Sequence, residues 1–253
     1  MKIKNKNSGD NMKDVLLKIE KNIQVGSDIY LMRLVGDTSE IKNPGEFINI
    51  TVPGYYLRRP ISVCDFGEGF VDILYKVLGH GTKDMSSFPT DMSLQCLVGL
   101  GNGFDINKSQ KPLLVGGGIG IAPMVALAKS FNQLGIKPVL VYGARTQNDI
   151  VLVDELSKLC ELHVCTDDGS MGYKGNVIEC IKNSNLEFDY YYACGPQKML
   201  EFLSKAYPNG CVSLEARMGC GFGACMGCSI ETTNGPKRVC KEGPVFEATE
   251  VIF

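Results

Sequence analysis

Leu113-Leu114-Val115-Gly116-Gly117-Gly118-Ile119-Gly120-Ile121-Ala122-Pro123 decides the fold of this chain. A short apolar run enters a glycine-rich turn, and the turn opens into an apolar segment with proline near its start. Strand, glycine turn and helix N-terminus, in that order, leave backbone N–H groups free to hold a pyrophosphate. The spacing departs from G-x-G-x-x-G and no clear acidic residue ends the next strand, so the run alone is weak evidence for a nucleotide. Its place in the chain adds weight, because it follows the first of several alternating strands and helices.

Working outward toward the C-terminus, Pro112–Val115, Pro138–Tyr142, Leu162–Thr166, Asp189–Cys194 and Cys211–Leu214 are short and nearly all apolar. Between them lie helix-like stretches: Ala122–Leu134 closed by Gly135, Asp149–Leu159, Asn176–Lys182, and Pro196–Ala206. Such alternation predicts a parallel sheet covered on both faces. Tyr192-Ala193-Cys194-Gly195-Pro196 ends the fourth strand, where open α/β sheets bind ligands; a plain strand-to-helix turn reads equally well there.

Toward the N-terminus, from Val15 to about Gly103, the pattern is antiparallel. Ile29–Val35, Glu46–Val52, Ile61–Asp65, Val71–Leu78 and Met92–Val98 are rich in β-branched or aromatic residues, with turn formers between them. Even spacing of this kind predicts a small barrel. The final stretch, Glu215–Phe253, has no periodicity and is rich in Gly and Cys, so it is expected to be ordered by something other than a hydrophobic core.

The chain has eleven cysteines. Cys64, Cys96, Cys160, Cys165, Cys180 and Cys211 are scattered in apolar stretches, where free cysteine behaves as a small hydrophobe. Cys220, Cys225, Cys228 and Cys240 crowd together with the C-x4-C-x2-C spacing and later fourth cysteine of a plant-type [2Fe–2S] site. Gly219, Gly221, Gly223 and Gly227 suit a loop wrapped round a cluster. A four-cysteine zinc site is the competing reading, although zinc loops usually pair two C-x2-C knuckles and Cys240 stands alone.

A net charge of −2 gives no electrostatic reason to expect nucleic acid or an anionic membrane as partner. No apolar run approaches the roughly 20 residues that span a bilayer, and the polar start has no secretory h-region. A cytoplasmic protein is expected. Residues 1–13 read as a disordered leader, with Met12 an alternative start. The expected division is a barrel over 14–109, a nucleotide-binding α/β unit over 110–214 and a small cluster unit over 215–253, a multi-domain β plus α/β protein.

With these parts in order, the chain resembles the ferredoxin–NAD(P)H reductase superfamily. Arg59-Pro60-Ile61-Ser62 resembles its flavin motif R-x-[YFI]-S, and Leu74-Tyr75-Lys76-Val77 with Gly79-His80-Gly81-Thr82 resembles the following strand and phosphate loop. The resemblance implies that Arg59 meets the FAD pyrophosphate and Ser62 the isoalloxazine edge, with Gly81 and Thr82 in the loop. It implies that Gly116, Gly117, Gly118, Gly120, Pro123, Gly195 and Pro196 serve the NAD half, with Cys194 near hydride transfer. His80 is open between a structural role and a hydrogen bond to FAD; His163 is expected to be a packing residue.

The run Glu215–Cys228 together with Val239-Cys240-Lys241-Glu242-Gly243-Pro244-Val245-Phe246 resembles, more narrowly, the electron-transfer subunits of dihydroorotate dehydrogenase B. One departure is Val98-Gly99-Leu100-Gly101, where that family is expected to have G-P-L-G. The resemblance implies an NAD-dependent oxidoreductase of pyrimidine biosynthesis. An FMN-containing partner would oxidise dihydroorotate, in a heterotetramer of two of each subunit, and electrons would pass through the [2Fe–2S] cluster and FAD to NAD+. Two alternatives stay open: a reductase subunit serving a hydrogenase, sulfur reductase or bifurcating transhydrogenase, and a non-enzymatic zinc or redox-sensing protein. Asp167 and Asp168, ending the third strand without a basic cluster beside them, favour NAD over NADP.

Overall fold

The computed structural model describes residues 12–253. Most of the expected leader lies outside them, and Lys13 already begins a strand. Six antiparallel strands close a barrel in the order β1-β2-β5-β4-β3-β6. They are β1 (Lys13–Gly26), β2 (Ile29–Val35), β3 (Phe47–Ile50), β4 (Arg59–Gly67), β5 (Phe70–Lys76) and β6 (Ser93–Leu100). The sequence pattern located five of them and passed over β1. Only Leu17 and Ile19 of β1 are fully buried, so its apolar alternation is interrupted by charge. Residues of β3 alternate cleanly: Ile48 and Ile50 fill the barrel, while Phe47 faces a different core outside it.

Helix α1 (His80–Met85) starts where the phosphate loop was expected. Gly79 is its N-cap residue, and the Thr82 hydroxyl accepts from the Leu78 and Gly79 N–H groups at 3.0 and 3.2 Å. The Gly-His-Gly-Thr run is therefore a helix N-terminus and not an open loop.

The second sheet contains β7 (Pro112–Gly117), β8 (Val139–Ala144), β9 (Glu161–Thr166), β10 (Tyr173–Lys174), β11 (Tyr190–Cys194), β12 (Gly210–Ser213) and, from the tail, β15 (Val245–Glu247). Their order is β10-β9-β8-β7-β11-β12-β15. All neighbours are parallel except β15, which runs antiparallel to β12. Helices α2 (Ala122–Gln133) and α3 (Val153–Leu159) cover one face; α4 (Val177–Asn183) and α5 (Gln197–Ala206) cover the other. Single strands supply both cores: Tyr190 and Tyr192 point to the first, Tyr191 to the second. A short hairpin, β13 (Ser229–Ile230) with β14 (Lys237–Arg238), sits between Cys228 and Cys240.

The expectation for the tail needs correction. Val239, Phe246 and Ala248 are buried, and with Cys228 and Cys240 they join the core formed by β7, β11, β12, α4 and α5. That core also takes in Phe47, Leu97 and Leu100 from the barrel. The apolar residues of the tail occur singly among glycines and cysteines, so burial there left no periodic trace. All six scattered cysteines are buried, as expected. His163 is not a core residue; it lies part-exposed, with Nε2 3.0 Å from Glu161 Oε1 two residues back on the same strand face. Among the described residues no helix is long and apolar enough to cross a membrane.

Candidate functional site

The barrel and the parallel sheet meet along α2, whose Lys129 reaches Asp65 on β4 (2.8 Å) and Glu155 on α3 (2.9 Å). A cavity of about 270 Å³ opens at this junction. The barrel contributes Arg59, Pro60, Ile61 and Ser62 from β4, and Leu74, Tyr75 and Lys76 from β5. Thr82 comes from α1. The sheet contributes Gly120, Pro123 and Cys194, so one space gathers residues from both halves of the chain.

Several wall residues are held by identifiable contacts. The Arg59 guanidinium stacks over the Tyr55 ring at 4.7 Å and donates to the Leu57 carbonyl. Gly81 lies behind it, at a place where a Cβ would sit 2.6 Å from Arg59 Nη2. Gly81 therefore makes room for the guanidinium and does not line the cavity. Lys76 crosses the junction to Asp149 at 2.6 Å. Burial pushes the Cys194 thiol up to about 12, and the negative charge of Glu215 adds to this. At neutral pH Cys194 is a neutral thiol, not suited to nucleophilic attack.

A second cavity of about 240 Å³ adjoins the glycine turn. Gly117, Gly118 and Pro196 line it, with Lys76, Arg145, Asp149 and Asp167. Four expected residues line neither cavity. Val77 donates its N–H to Asp28 at 2.8 Å, Gly116 is buried against Ile121, Gly81 backs Arg59, and Gly195 packs on Gly117. His80 is exposed at the start of α1 and also lines neither. The two expected carboxylates separate: Asp167 lines the second cavity, while Ser170 caps Asp168 through its N–H (2.9 Å) and hydroxyl (2.6 Å), which lowers the Asp168 pKa. Arg145 also faces that cavity, so a basic group does stand near Asp167.

Sequence reasoning assigned no individual role to Glu215, Ala216, Met218 and Pro244, which form the far wall of the first cavity. Burial raises the Glu215 pKa although its side chain opens to the cleft. The Glu215–Cys220 run carried the narrower resemblance, and that was the only signal available for them.

Just beyond this wall lie the four cysteines, and the structure arranges them in two pairs. The Cys225 N–H donates to Cys220 Sγ at 3.4 Å, and the Cys240 N–H donates to Cys228 Sγ at 3.5 Å. Burial pushes the Cys220 thiol up, but the N–H groups of Cys225 and Phe222, the Cys225 thiol and the Ala224 N–H together outweigh it and bring it down to about 6. Burial and the neighbouring Cys228 raise Cys240 to about 12. Among the described residues no three His, Cys, Asp or Glu side chains converge as a single metal site. Two thiol pairs match the donor needs of a dinuclear cluster, which takes two thiolates on each iron, and backbone N–H groups already approach the sulfurs.

A closed antiparallel barrel joined to a parallel sheet, with a cysteine module behind their shared cleft, is the fold of the ferredoxin reductase class, and the match to an oxidoreductase NAD-binding domain makes the chain an oxidoreductase of that class. The family described as the iron–sulfur cluster binding domain of dihydroorotate dehydrogenase B matches residues 215–252, and the oxidoreductase NAD-binding domain matches residues 114–205. The chain is 41% identical to the dihydroorotate dehydrogenase B (NAD(+)) electron transfer subunit of Fusobacterium nucleatum, over 92% of this chain and 96% of that one. It is also 41% identical to the same subunit of Bacillus caldolyticus, over 85% and 88%. Among solved structures, an NADH-dependent reduced ferredoxin–NADP oxidoreductase superposes with a TM-score of 0.85 at 30% identity, covering 94% of this chain and 90% of that one. Phthalate dioxygenase reductase shares the fold, with a TM-score of 0.65 at 17% identity and 87% of each chain covered. The chain belongs to the family of dihydroorotate dehydrogenase B electron transfer subunits.

Proposed function

We propose that this chain receives electrons from a dihydroorotate-oxidising catalytic subunit and passes them through a [2Fe–2S] cluster and FAD to NAD+, in pyrimidine biosynthesis. The 270 Å³ cavity carries this reading, because it brings the flavin motif, the end of β11 and the segment leading to the cluster loop onto one space. A flavin exchanges single electrons for hydride, which neither a cluster nor a nicotinamide does alone. Around it, Arg59 offers a fork of N–H donors to a pyrophosphate, and Ser62 and Thr82 offer hydroxyls. Gly117, Gly118 and the N-terminus of α2 offer backbone donors to the second nucleotide. Gly120 and Cys194 form the small, apolar contact where a nicotinamide ring meets the flavin. Cys220, Cys225, Cys228 and Cys240 hold the cluster. These residue roles, the units 14–109, 110–214 and 215–253, an FMN on the partner, a two-plus-two assembly and a cytoplasmic setting all belong to the proposal.

A reductase subunit for a bifurcating oxidoreductase is the second reading, favoured by the 30% identity to such a structure. Identity of 41% over nearly the whole length favours the first. Co-expression with the FMN subunit decides between them: the expected result is dihydroorotate-dependent NAD+ reduction. A fully cofactor-loaded complex that fails to reduce NAD+ refutes the assignment.

Cofactor preference follows from Asp167. A carboxylate lining the nucleotide cavity repels a 2′-phosphate, and Arg145 beside it only partly compensates. The expected result is faster turnover with NADH than with NADPH. In Asp167→Ser the gap narrows roughly ten-fold, in line with about 1.4 kcal/mol for loss of one like-charge contact with Arg145 retained. A wild-type protein that prefers NADPH overturns this.

A further inference from the structure

The barrel meets the cluster loop through one buried polar side chain, Asn49 of β3. It is 1% exposed. It lies on the strand face shared with Phe47, among apolar residues of the core that includes Leu97, Cys228 and Cys240. Its ladder partners are Pro60, inside the flavin motif, on one side and Leu97 on the other. Asn49 Nδ2 donates to the backbone carbonyl of Cys220 at 3.2 Å. Asn49 Oδ1 is the one buried side-chain nitrogen or oxygen among the described residues that has no hydrogen-bond partner.

That orphan acceptor is informative. An unpaired buried carbonyl carries its full desolvation cost, and each such group in a native fold calls for an explanation. A leucine would fill the site without this cost. Only the donor end of the amide has a task, so the fold tolerates the bare acceptor for the sake of the bond to Cys220.

The bond fixes a peptide plane. The only cis peptide among the described residues is Gly243–Pro244, so the Cys220–Gly221 peptide is trans and planar, with its C=O and N–H pointing in opposite directions. With the carbonyl held by Asn49, the Gly221 N–H points away from that side chain, and the loop that starts here goes on to bring the Cys225 N–H to 3.4 Å from Cys220 Sγ. Gly221 sits at φ +77, and a Cβ there would overlap Asn49 Nδ2 and lie 3.1 Å from its Cγ. The glycine and the asparagine therefore fit each other. N–H groups directed at cluster sulfurs stabilise the reduced, more negative form and raise the reduction potential.

We propose that Asn49 is a positioning residue for the cluster: by holding the Cys220 carbonyl it fixes the first turn of the loop whose N–H groups, that of Cys225 among them, are directed at the cysteine sulfurs, and so raises the potential at which the cluster accepts an electron. The flavin motif and the first cluster ligand are thereby tied to one residue of the barrel wall. This rests on the [2Fe–2S] reading of the four cysteines.

The test compares wild type with Asn49→Leu, which keeps the branched outline of the side chain and removes the donor, in protein carrying FAD and cluster. The midpoint potential of the cluster is measured by redox titration with EPR detection, and cluster loss is followed in a chelator. A lower potential, shifted g-values and cluster loss faster on the order of five-fold, the loss of about 1 kcal/mol of hydrogen bonding, are expected, with flavin absorbance unchanged. Gly221→Ala acts on the same peptide and gives the same direction, and the double variant shifts the potential less than the sum of the singles. If Asn49→Leu does not fold, the potential of Gly221→Ala decides alone. Wild-type potential and g-values in a folded variant, even one with a lower Tm, overturn the proposal by reducing Asn49 to a packing role. A wild-type protein that binds no cluster refutes the underlying reading instead.

Discussion

Cys228→Ser is expected to abolish the visible and EPR signals of the cluster and to lower dihydroorotate-dependent NAD+ reduction by at least roughly 100-fold, the upper end of what losing even an outer-shell partner costs a metal site. Cys228 is buried, and the Cys240 N–H already points at its sulfur. Serine offers a hard oxygen that stays protonated at neutral pH, whereas iron in such clusters takes thiolate. The cavity proposed for the flavin does not include Cys228. NADH should therefore still reduce a soluble acceptor such as ferricyanide through FAD at a rate near that of wild type. The split between the two assays is the diagnostic result. A variant that keeps its cluster signal and its dihydroorotate activity would remove Cys228 from the ligand set.

Gly120→Ala tests the other end of the relay. A Cβ on residue 120 would overlap the Cys194 carbonyl oxygen and lie 2.5 Å from the Cys194 carbonyl carbon and 2.7 Å from Gly195 Cα. All three are backbone atoms, so relief requires the glycine turn to move off the end of β11. Both elements form walls of the same cavity, and a displacement near 1 Å at a reacting contact costs on the order of 100-fold in rate. Stopped-flow bleaching of FAD by NADH should slow by that factor, while FAD and cluster stay bound, because Arg59 and the cysteines are untouched. Gly135→Ala is the control. Gly135, just past the far end of α2, has φ +77 with nothing within 4 Å of the added carbon, so only the left-handed backbone is penalised, by about 1 kcal/mol. Wild-type bleaching in Gly120→Ala would show that this turn does not set the hydride geometry.

Much of this is legible in the sequence, and the reason is local. Glycines such as Gly120 are dictated by the backbone they sit in and by their immediate neighbours. Arg59 and Cys194 lie at the ends of β4 and β11 and Ser62 a few residues into β4, and it was the resemblance of their short motifs to a known family that singled them out. What escaped depended on partners distant in the chain. Strand β1 pairs with β2 and β6 along a mostly exposed, charged face, so its alternation was masked. Asp167 and Asp168 look alike in sequence, yet a turn sends one to the nucleotide cavity and the other to Ser170. Asn49 is a single polar residue in Phe47-Ile48-Asn49-Ile50, and its partner Cys220 is 171 residues away. Glu215 acquires its raised pKa only when the segment after β12 closes over the barrel.

The antiparallel pairing of β15 with β12 also sets an order of events during synthesis. A ribosome delivers residues one after another, and units generally fold as they emerge. Strand β12 is made before any of the four cysteines, but its outer edge stays bare until Val245–Glu247 arrives, after the last of them. An uncovered strand edge invites pairing with other chains. The nascent nucleotide sheet thus remains vulnerable throughout the interval in which the cluster loop is produced, and the residues that shield it come only after Cys240. Truncations ending between Cys240 and Val245 would retain every proposed metal ligand and still leave a sticky, aggregation-prone protein.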